Sequence, residues 1–318
     1  MSSLLSSQRK YNRVWYITGT SSGLGRTLLE EVLANGERAV GTCRNTSAIA
    51  DLATKYPDQL LVQSVDVTNV QQIKDSFAAA LAKWNRVDVV VNNAGYALFG
   101  EIESITEEEA KHNFEVQFWG VVRVMKEAVR IFREVNPPGE GGRIFNVSTI
   151  GGYRANPTLS YYSASKFALE GFTQSFLQEM SPEWNIKGCI IQPGGFASEW
   201  RSSSAKITTP HPAYIDEKNA CHMFRTAIRA DIPYIGNLKK MGKTIIKLAH
   251  MSADGTELPL RIQLGSDALF LVGQQAKNTL KDLEAWREIS KETDEDGMDG
   301  DQYCKDVLLA SGSFNDAK

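Results

Sequence analysis

Three observations predict an α/β fold with a doubly wound parallel sheet and helices on both faces. Short apolar runs alternate with helical patterns from residue 14 to about 195. The first of these runs opens directly into a glycine-rich turn and a helix. No internal repeat and no Pro/Gly linker divides the 318 residues, so one domain over 1–318 is expected, large but within range for this class.

Taken in order, Val14-Trp15-Tyr16-Ile17 reads as a short buried strand within 14–18. It runs into Thr18-Gly19-Thr20-Ser21-Ser22-Gly23-Leu24-Gly25 and a helical pattern over 23–35. A strand, a glycine-rich turn and a helix N-terminus suit the phosphates of a dinucleotide. The glycines admit a tight turn and close backbone approach, and the helix dipole favours negative charge. The spacing is Gly-x-x-x-Gly-x-Gly rather than the commoner Gly-x-Gly-x-x-Gly, and the segment could equally be a structural strand-to-helix turn. A second strand over 38–43 ends at Arg44-Asn45, a third covers 60–65, and a helix follows over 69–83. Val87-Asp88-Val89-Val90-Val91 is a buried-strand run that leads to Asn92-Asn93-Ala94-Gly95. A helix over 106–134 precedes the strand at 142–148, with Thr149 at its end, and a further helix spans 159–180. Ile190-Ile191-Gln192 closes a strand over 186–192 and leads to Pro193-Gly194-Gly195-Phe196. Helices over 214–230, 238–251 and 265–290, with a strand near 259–263, complete the reading.

The helix at 159–180 carries Tyr162-Ser163-Ala164-Ser165-Lys166. Four residues is a little over one helical turn, so the phenol and the ammonium project from one face. A phenol titrates near pH 10 and transfers protons poorly at neutral pH unless something lowers that value. A fixed lysine charge does so by favouring the phenolate. A shift of about three units corresponds to about 4 kcal/mol.

Composition sets limits. The net charge of −3, with no basic stripe of interleaved aromatics, gives no reason to expect nucleic acid. Cys43, Cys189, Cys221 and Cys304 are scattered without a Cys-x-x-Cys pair, which reads as reduced thiols. No segment approaches the roughly 18 apolar residues of a membrane span, so a cytoplasmic protein is expected. The run Asp294-Glu295-Asp296-Gly297-Met298-Asp299-Gly300-Asp301 fails as a calcium loop. Counting from Asp294, position 5 is Met298 and position 12 is Lys305; counting from Glu295, position 3 is Gly297. His112, His211, His222 and His250 lack metal-ligand spacing, so no metal is expected, and 286–318 reads as an acidic, flexible tail.

Thr18-Gly19-x-x-x-Gly23-x-Gly25, Asp66-Val67, Asn92-Asn93-Ala94-Gly95, Tyr162-x-x-x-Lys166 and Pro193-Gly194 occur in this order over residues 14 to 285. In these motifs the chain resembles the short-chain dehydrogenases/reductases. The resemblance implies a seven-stranded, Rossmann-type sheet and hydride transfer between a nicotinamide cofactor and a carbonyl or secondary alcohol. It implies that Tyr162 is the acid/base, that Lys166 binds the nicotinamide ribose and lowers the phenol's pKa, and that Gly19, Ser21, Ser22, Gly23, Leu24 and Gly25 hold the phosphates. Asp66 would meet the adenine amino group, Val67 would offer its backbone, and Asn92, Asn93, Ala94 and Gly95 would line the adenosine side. Pro193, Gly194, Phe196 and Ser198 would border the nicotinamide.

Two positions depart from the family pattern. Thr149 stands where a serine is usual, and keeps the hydroxyl with an added, stiff methyl. Ser148 should point to the opposite face of its strand. Gln117 stands where an asparagine commonly holds a water in a proton relay, and carries the same amide one methylene further out. No Asp or Glu ends the second strand, and Arg44 does, which favours NADP(H) over NAD(H). Arg44 could also be a solvent-facing turn residue.

The resemblance places a substrate cover over 196–233, with Trp200, Tyr214, Met223 and Phe224. Tyr153, Asn156, Tyr161, Gly195 and Trp200 are substrate candidates. Their aromatics suit a sizeable apolar or cyclic carbonyl compound, or simply pack the cover onto the body. The family also implies a homodimer or homotetramer through the helices at 106–134 and 159–180, where Phe114, Phe118, Val121, Val122, Phe172, Phe176 and Leu177 are available. Leu258 to Ala268 resembles a C-terminal feature of one oxidoreductase subgroup. Two alternatives stand beside the reductase: diverged chemistry (isomerase, dehydratase or cyclase) and a weakly catalytic dinucleotide-binding sensor or scaffold.

Overall fold

In the computed structural model the described residues are 12–198, 204–230 and 233–309. They fall into two compact units, Met1–Val272 and Gly273–Lys318. The first is built on a seven-stranded parallel sheet with order β3-β2-β1-β4-β6-β7-β9. Its strands are β1 (Val14–Thr18), β2 (Arg38–Cys43), β3 (Leu60–Ser64), β4 (Val89–Asn92), β6 (Gly142–Val147), β7 (Ile186–Pro193) and β9 (Arg261–Leu264). A separate parallel pair joins β5 (Leu98–Phe99) to β8 (Lys206–Ile207). The register across the centre aligns Tyr16 with Val40 on one side and with Val90 on the other, then Val91 with Phe145 and Phe145 with Cys189.

Period-2 alternation sorts the strand side chains into two cores. Trp15, Ile17, Val89, Val91, Phe145 and Ile191 meet helices α1 (Gly23–Ala34) and α8 (Leu238–Ala253) through Leu28, Val32, Met241 and Ile245. Val14, Tyr16, Val40, Val90 and Ile144 point the other way. They meet α3 (Val70–Trp84), α5 (Gly120–Glu134) and α6 (Ser160–Glu179) through Phe77, Met125, Ile131 and Leu169. Tyr16 and Phe77 stack with centroids 4.0 Å apart, and the Tyr16 hydroxyl lies 2.6 Å from Ser76 Oγ.

The remaining helices are α2 (Ala50–Lys55), α4 (Glu107–Phe114), α7 (Ala220–Arg229) and α9 (Ser266–Ala285), with α10 (Arg287–Lys291) and α11 (Gly300–Tyr303) in the second unit. The helix expected over 106–134 is interrupted by a π turn at Glu115–Trp119, so α4 and α5 are separate pieces of one run. The helix expected from 214 starts at Ala220, because Asn219 caps it by accepting from Cys221 N at 2.8 Å. The strand expected from 259 starts at Arg261; Pro259 has no N–H for the ladder. The helix expected to 290 breaks at Trp286. The pairing of β5 with β8 went unforeseen because two-residue strands carry no periodicity. No helix among the described residues is long and apolar enough to cross a membrane.

Phe77 is fully buried between Tyr16 and the α5 face. Phe77→Ala should destabilise the protein by about 3–5 kcal/mol, read as a lower urea midpoint at unchanged slope.

Candidate active site

Sheet order reverses between β1 and β4, so the connections leaving these two strands part company and open a crevice at their C-terminal ends. Thr18 Oγ1 accepts from Asn93 N at 2.9 Å and from Ala94 N at 3.0 Å, while Asn93 Nδ2 donates to Thr18 O at 2.9 Å and Gly19 O at 3.1 Å. These four bonds lock the ends of β1 and β4 together. A cleft of about 1410 Å³ opens above them, with Gly19, Asn93, Tyr162 and Lys166 among its lining.

Gly19 turns the chain at φ +72°, and a Cβ there would come within 2.8 Å of Ala94 Cα. A Cβ at Gly25 would collide with Gly19 O, so Gly25 lies beneath the turn, outside the lining. Ser21, Ser22, Gly23 and Leu24 face the cleft. Ser22 occupies the N-cap of α1 but makes no side-chain cap bond, which leaves the first N–H groups of that helix directed outward without a capping acceptor.

At the far end stand Arg44, Asp66 and Val67. Asp66 Oδ1 accepts from Thr68 N at 2.9 Å and Thr68 Oγ1 at 2.7 Å. Burial pushes its carboxyl up, but the Thr68 donors, Arg44 and His112 together hold it below the usual value. The Arg44 guanidinium makes no hydrogen bond or ion pair among the described residues.

α6 adds Tyr162 and Lys166 to the lining, both 5% exposed. Lys166 Nζ donates to Val147 O at 2.9 Å and lies 5.9 Å from the centroid of the Tyr162 ring. Burial lowers the lysine to about 8, against the opposing pull of Glu170 one turn further on. Thr149, at the end of β6, caps the short 3₁₀ turn Ile150–Gly152 by accepting from Gly151 N at 3.3 Å. Ser148 donates to Glu170 Oε1 at 2.6 Å. Gln117 sits in the π turn against Gly95 and donates from Nε2 to Tyr96 O at 2.5 Å. Its Oε1 is buried with no partner among the described residues.

The space beside the phenol is apolar. Ala97, Phe99, Leu159 and Tyr162 form one cluster, against which Ala205, Phe224 and Ile228 pack. Phe224 and Ile228 are one turn apart on α7, whose intervening Arg225 is buried in the body of the protein. There it clamps Glu101, Nε to Oε1 at 2.6 Å and Nη2 to Oε2 at 2.7 Å, and reaches Thr208 O at 3.1 Å. At the other end of the cover, Gly236 N donates to Gly195 O at 2.9 Å.

The sequence candidates Asn156, Pro193, Gly194, Gly195, Phe196 and Ser198 also line the cleft. Tyr161 does not: it packs beside the cluster of Leu98, Ile105 and Ala110, with its hydroxyl 3.5 Å from Ile102 O. Tyr153 ends the 3₁₀ turn away from the lining, and Trp200 lies outside the described residues. Sequence reasoning missed Glu101, whose partner is 124 residues distant, and Asp267, whose Oδ2 accepts from Gly195 N at 2.6 Å. Only the Gly265-Ser266-Asp267 run hinted at the latter.

Two consequences follow from these charges. Glu101 is 1% exposed; burial pushes its carboxyl up, but Arg225 and the N–H groups of Glu101 and His211 bring it down to about 2. The depressed value makes this ion pair stabilising above the unfolded pKa near 4.5. The stabilisation, on the order of 3 kcal/mol, should fade as pH falls from about 4.5 to 2, a window that should narrow in Arg225→Met when urea stability is measured against pH. Lys166 has the opposite sign, since a lowered ammonium pKa costs stability wherever the unfolded lysine is charged. Lys166→Met should therefore raise the melting temperature at pH 7 by several degrees, and the gain should shrink between pH 8 and 10.5.

The family model for short chain dehydrogenases matches residues 13–207. An uncharacterised oxidoreductase of Schizosaccharomyces pombe is 36% identical over 283 residues, 89% of this chain and 92% of its own length. The oxidoreductase CalM of Penicillium decumbens is 34% identical over 287 residues, covering 89% and 93%. Among solved structures, a short-chain dehydrogenase from Streptomyces avermitilis superposes with a TM-score of 0.79 at 33% identity, over 89% of this chain and all of that one. With the sheet order and the crevice at its reversal, these likenesses establish that the chain is an oxidoreductase of the short-chain dehydrogenase family.

Proposed function

We propose that the chain is an NADP(H)-dependent carbonyl reductase, or alcohol dehydrogenase in reverse, acting on a sizeable apolar or cyclic compound, with Tyr162 as its proton donor. The observation that carries this reading is the buried Tyr162/Lys166 pair lining the same cleft as the glycine-rich turn. The residues present fit a dinucleotide. The turn at Gly19 brings bare backbone to the cleft, and the uncapped N–H groups of α1 suit a pyrophosphate. Arg44, with no carboxylate at the end of β2, suits a 2′-phosphate on the adenosine ribose.

Held by the Gly19 turn and the start of α1, a nicotinamide dinucleotide would supply the hydride for reduction of the carbonyl carbon. The Tyr162 hydroxyl gives its proton to the carbonyl oxygen as that oxygen gains charge, so C=O becomes CH–OH. The Lys166 ammonium favours the phenolate left behind. Thr149 Oγ1 accepts from Gly151 N, which leaves its own O–H to donate to the substrate oxygen. Ala205, Phe224 and Ile228 receive the apolar body of the substrate and keep water from the phenol. The half-exposed Trp119 and Phe167, on the helices named for the family's subunit contact, support a homo-oligomer.

NADPH oxidation against a panel of ketones and quinones tests the reading. Turnover should fall by about 10³-fold or more in Tyr162→Phe. Arg44→Ala should raise KM for NADPH by about 10- to 100-fold while leaving that for NADH nearly unchanged. Tight NADPH binding with no turnover on any compound would reject the reductase, and equal rates in Tyr162→Phe would remove the phenol from the mechanism.

A further inference from the structure

The catalytic helix contains a second buried charge that the proton-transfer scheme does not use. Glu170 is 2% exposed and lies one turn beyond Lys166 on α6. Its carboxylate accepts from Ser148 Oγ at 2.6 Å, from Gln192 Nε2 at 2.8 and 3.0 Å, and from Arg261 Nε at 2.8 Å. Each donor marks a different strand end. Ser148 precedes Thr149 after β6, Gln192 precedes Pro193 on β7, and Arg261 opens β9. Gln263 Nε2 extends the network to Gln192 Oε1 at 2.6 Å, and Arg261 Nη2 returns to Gln174 Oε1 on α6 at 3.3 Å. No room is left around it: a Cβ at Gly152 would strike both Ser148 Oγ and Glu170 Oε1.

We propose that Glu170 is a positioning residue for Lys166, holding α6 in register with β6, β7 and β9 and supplying the negative charge that keeps the buried lysine an ammonium. The role rests on the assignment of Lys166 above. A helix packed by apolar contacts alone could slide or rotate by fractions of an ångström; four charge-assisted bonds to three strands forbid that. A buried carboxylate with so many donors is fully satisfied, so it acts on Lys166 as a fixed field.

Tyr162 and Glu170 share α6 with Lys166, β9 contributes Arg261, and β7 contributes the neutral Gln192. The 3₁₀ turn packed on α6 is followed by Tyr153 and Arg154, and Arg154 lines the cleft with Lys166. The π turn packed on α6 places Gln117 here and pairs its Glu115 with Arg123. On α4, which also packs on α6, Glu107 pairs with Lys111 and Glu109 with Lys206, while Glu108 and His112 line the cleft. Glu170 favours the Lys166 ammonium, and Arg261, its ion-pair partner, carries the opposite charge.

The test compares Glu170→Gln, which is isosteric, with Arg261→Gln, which keeps an N–H near the position of Nε. Protein labelled with ¹³C at lysine Cε is titrated by NMR without cofactor, the Lys166 signal being assigned by its absence in Lys166→Met. Its midpoint should fall by about one unit in Glu170→Gln and rise in Arg261→Gln, and the alkaline limb of kcat/KM should move the same way in each. A common direction in both variants, or midpoints within about 0.3 unit of wild type alongside equal losses of melting temperature, would reduce Glu170 to structural packing and overturn the proposal. Opposed shifts of the NMR midpoint in a protein that reduces no ketone would uphold the positioning role and reject the reductase reading instead.

Discussion

The bond between Thr18 and the backbone of Asn93 and Ala94 is the constraint on which the site depends. A parallel sheet that reverses its strand order leaves a gap at the reversal, and a gap by itself is a weakness. Thr18 closes it below the surface with a single hydroxyl serving two N–H groups, and Asn93 answers with its side-chain amide on Thr18 O and Gly19 O. The glycine turn, the uncapped start of α1 and the floor of the cleft all hang from that junction. The ends of β6 and β7 then bring Thr149 and Pro193 alongside, because parallel register carries every strand to the same edge. No single strand needs a special sequence to deliver its residue; the topology aligns them.

Above this floor the walls are made of two unlike materials. The side of the glycine-rich turn is backbone and small side chains, whose N–H groups cannot be altered by side-chain substitution. The side that holds Tyr162 is an apolar cluster, with the buried Lys166 one turn further along α6. Desolvation and opposite charge compete there, and at Lys166 desolvation wins by bringing the ammonium down to about 8. That outcome places the lysine close to the pH at which a cell works, so small changes in neighbouring charge alter its occupancy more than they would for an exposed lysine.

The sheet was legible from sequence because its central strands alternate faces within continuous apolar runs, as Val14-Trp15-Tyr16-Ile17 and Val89-Val90-Val91 do. The motifs were legible for the same reason that they are motifs: glycine turns and a Tyr-x-x-x-Lys pair are local in the chain. What escaped is non-local. The ion pair of Glu101 with Arg225 spans 124 residues, and the bonds from Glu170 span 22 and 91. No periodicity signals such partners, and a buried glutamate in a helical pattern reads like any solvent-facing one. Tyr161 illustrates the converse error. It is adjacent to Tyr162, yet one residue along a helix is a rotation of about 100°, which carries its ring to the satellite core near Ile105 instead of the cleft.

The two ion pairs also anchor different helices, Glu101 with Arg225 holding α7 and Glu170 with Arg261 holding α6. Arg225 is anchored in the body while its neighbours Phe224 and Ile228 face the apolar space beside Tyr162. A cover held by apolar contacts alone would adjust to any ligand of similar volume, since hydrophobic packing is weakly directional. A bidentate guanidinium–carboxylate pair with both groups buried is directional, and losing it leaves a stranded charge. The helix axis is thereby fixed, and the size of the apolar space depends on which side chains stand at 224 and 228. Substitution at those two positions can then reshape the space without disturbing the anchor, the phenol or the floor. The Tyr162/Lys166 pair and the apolar side chains beside it are thus held by different bonds, so one can vary while the other stays in place.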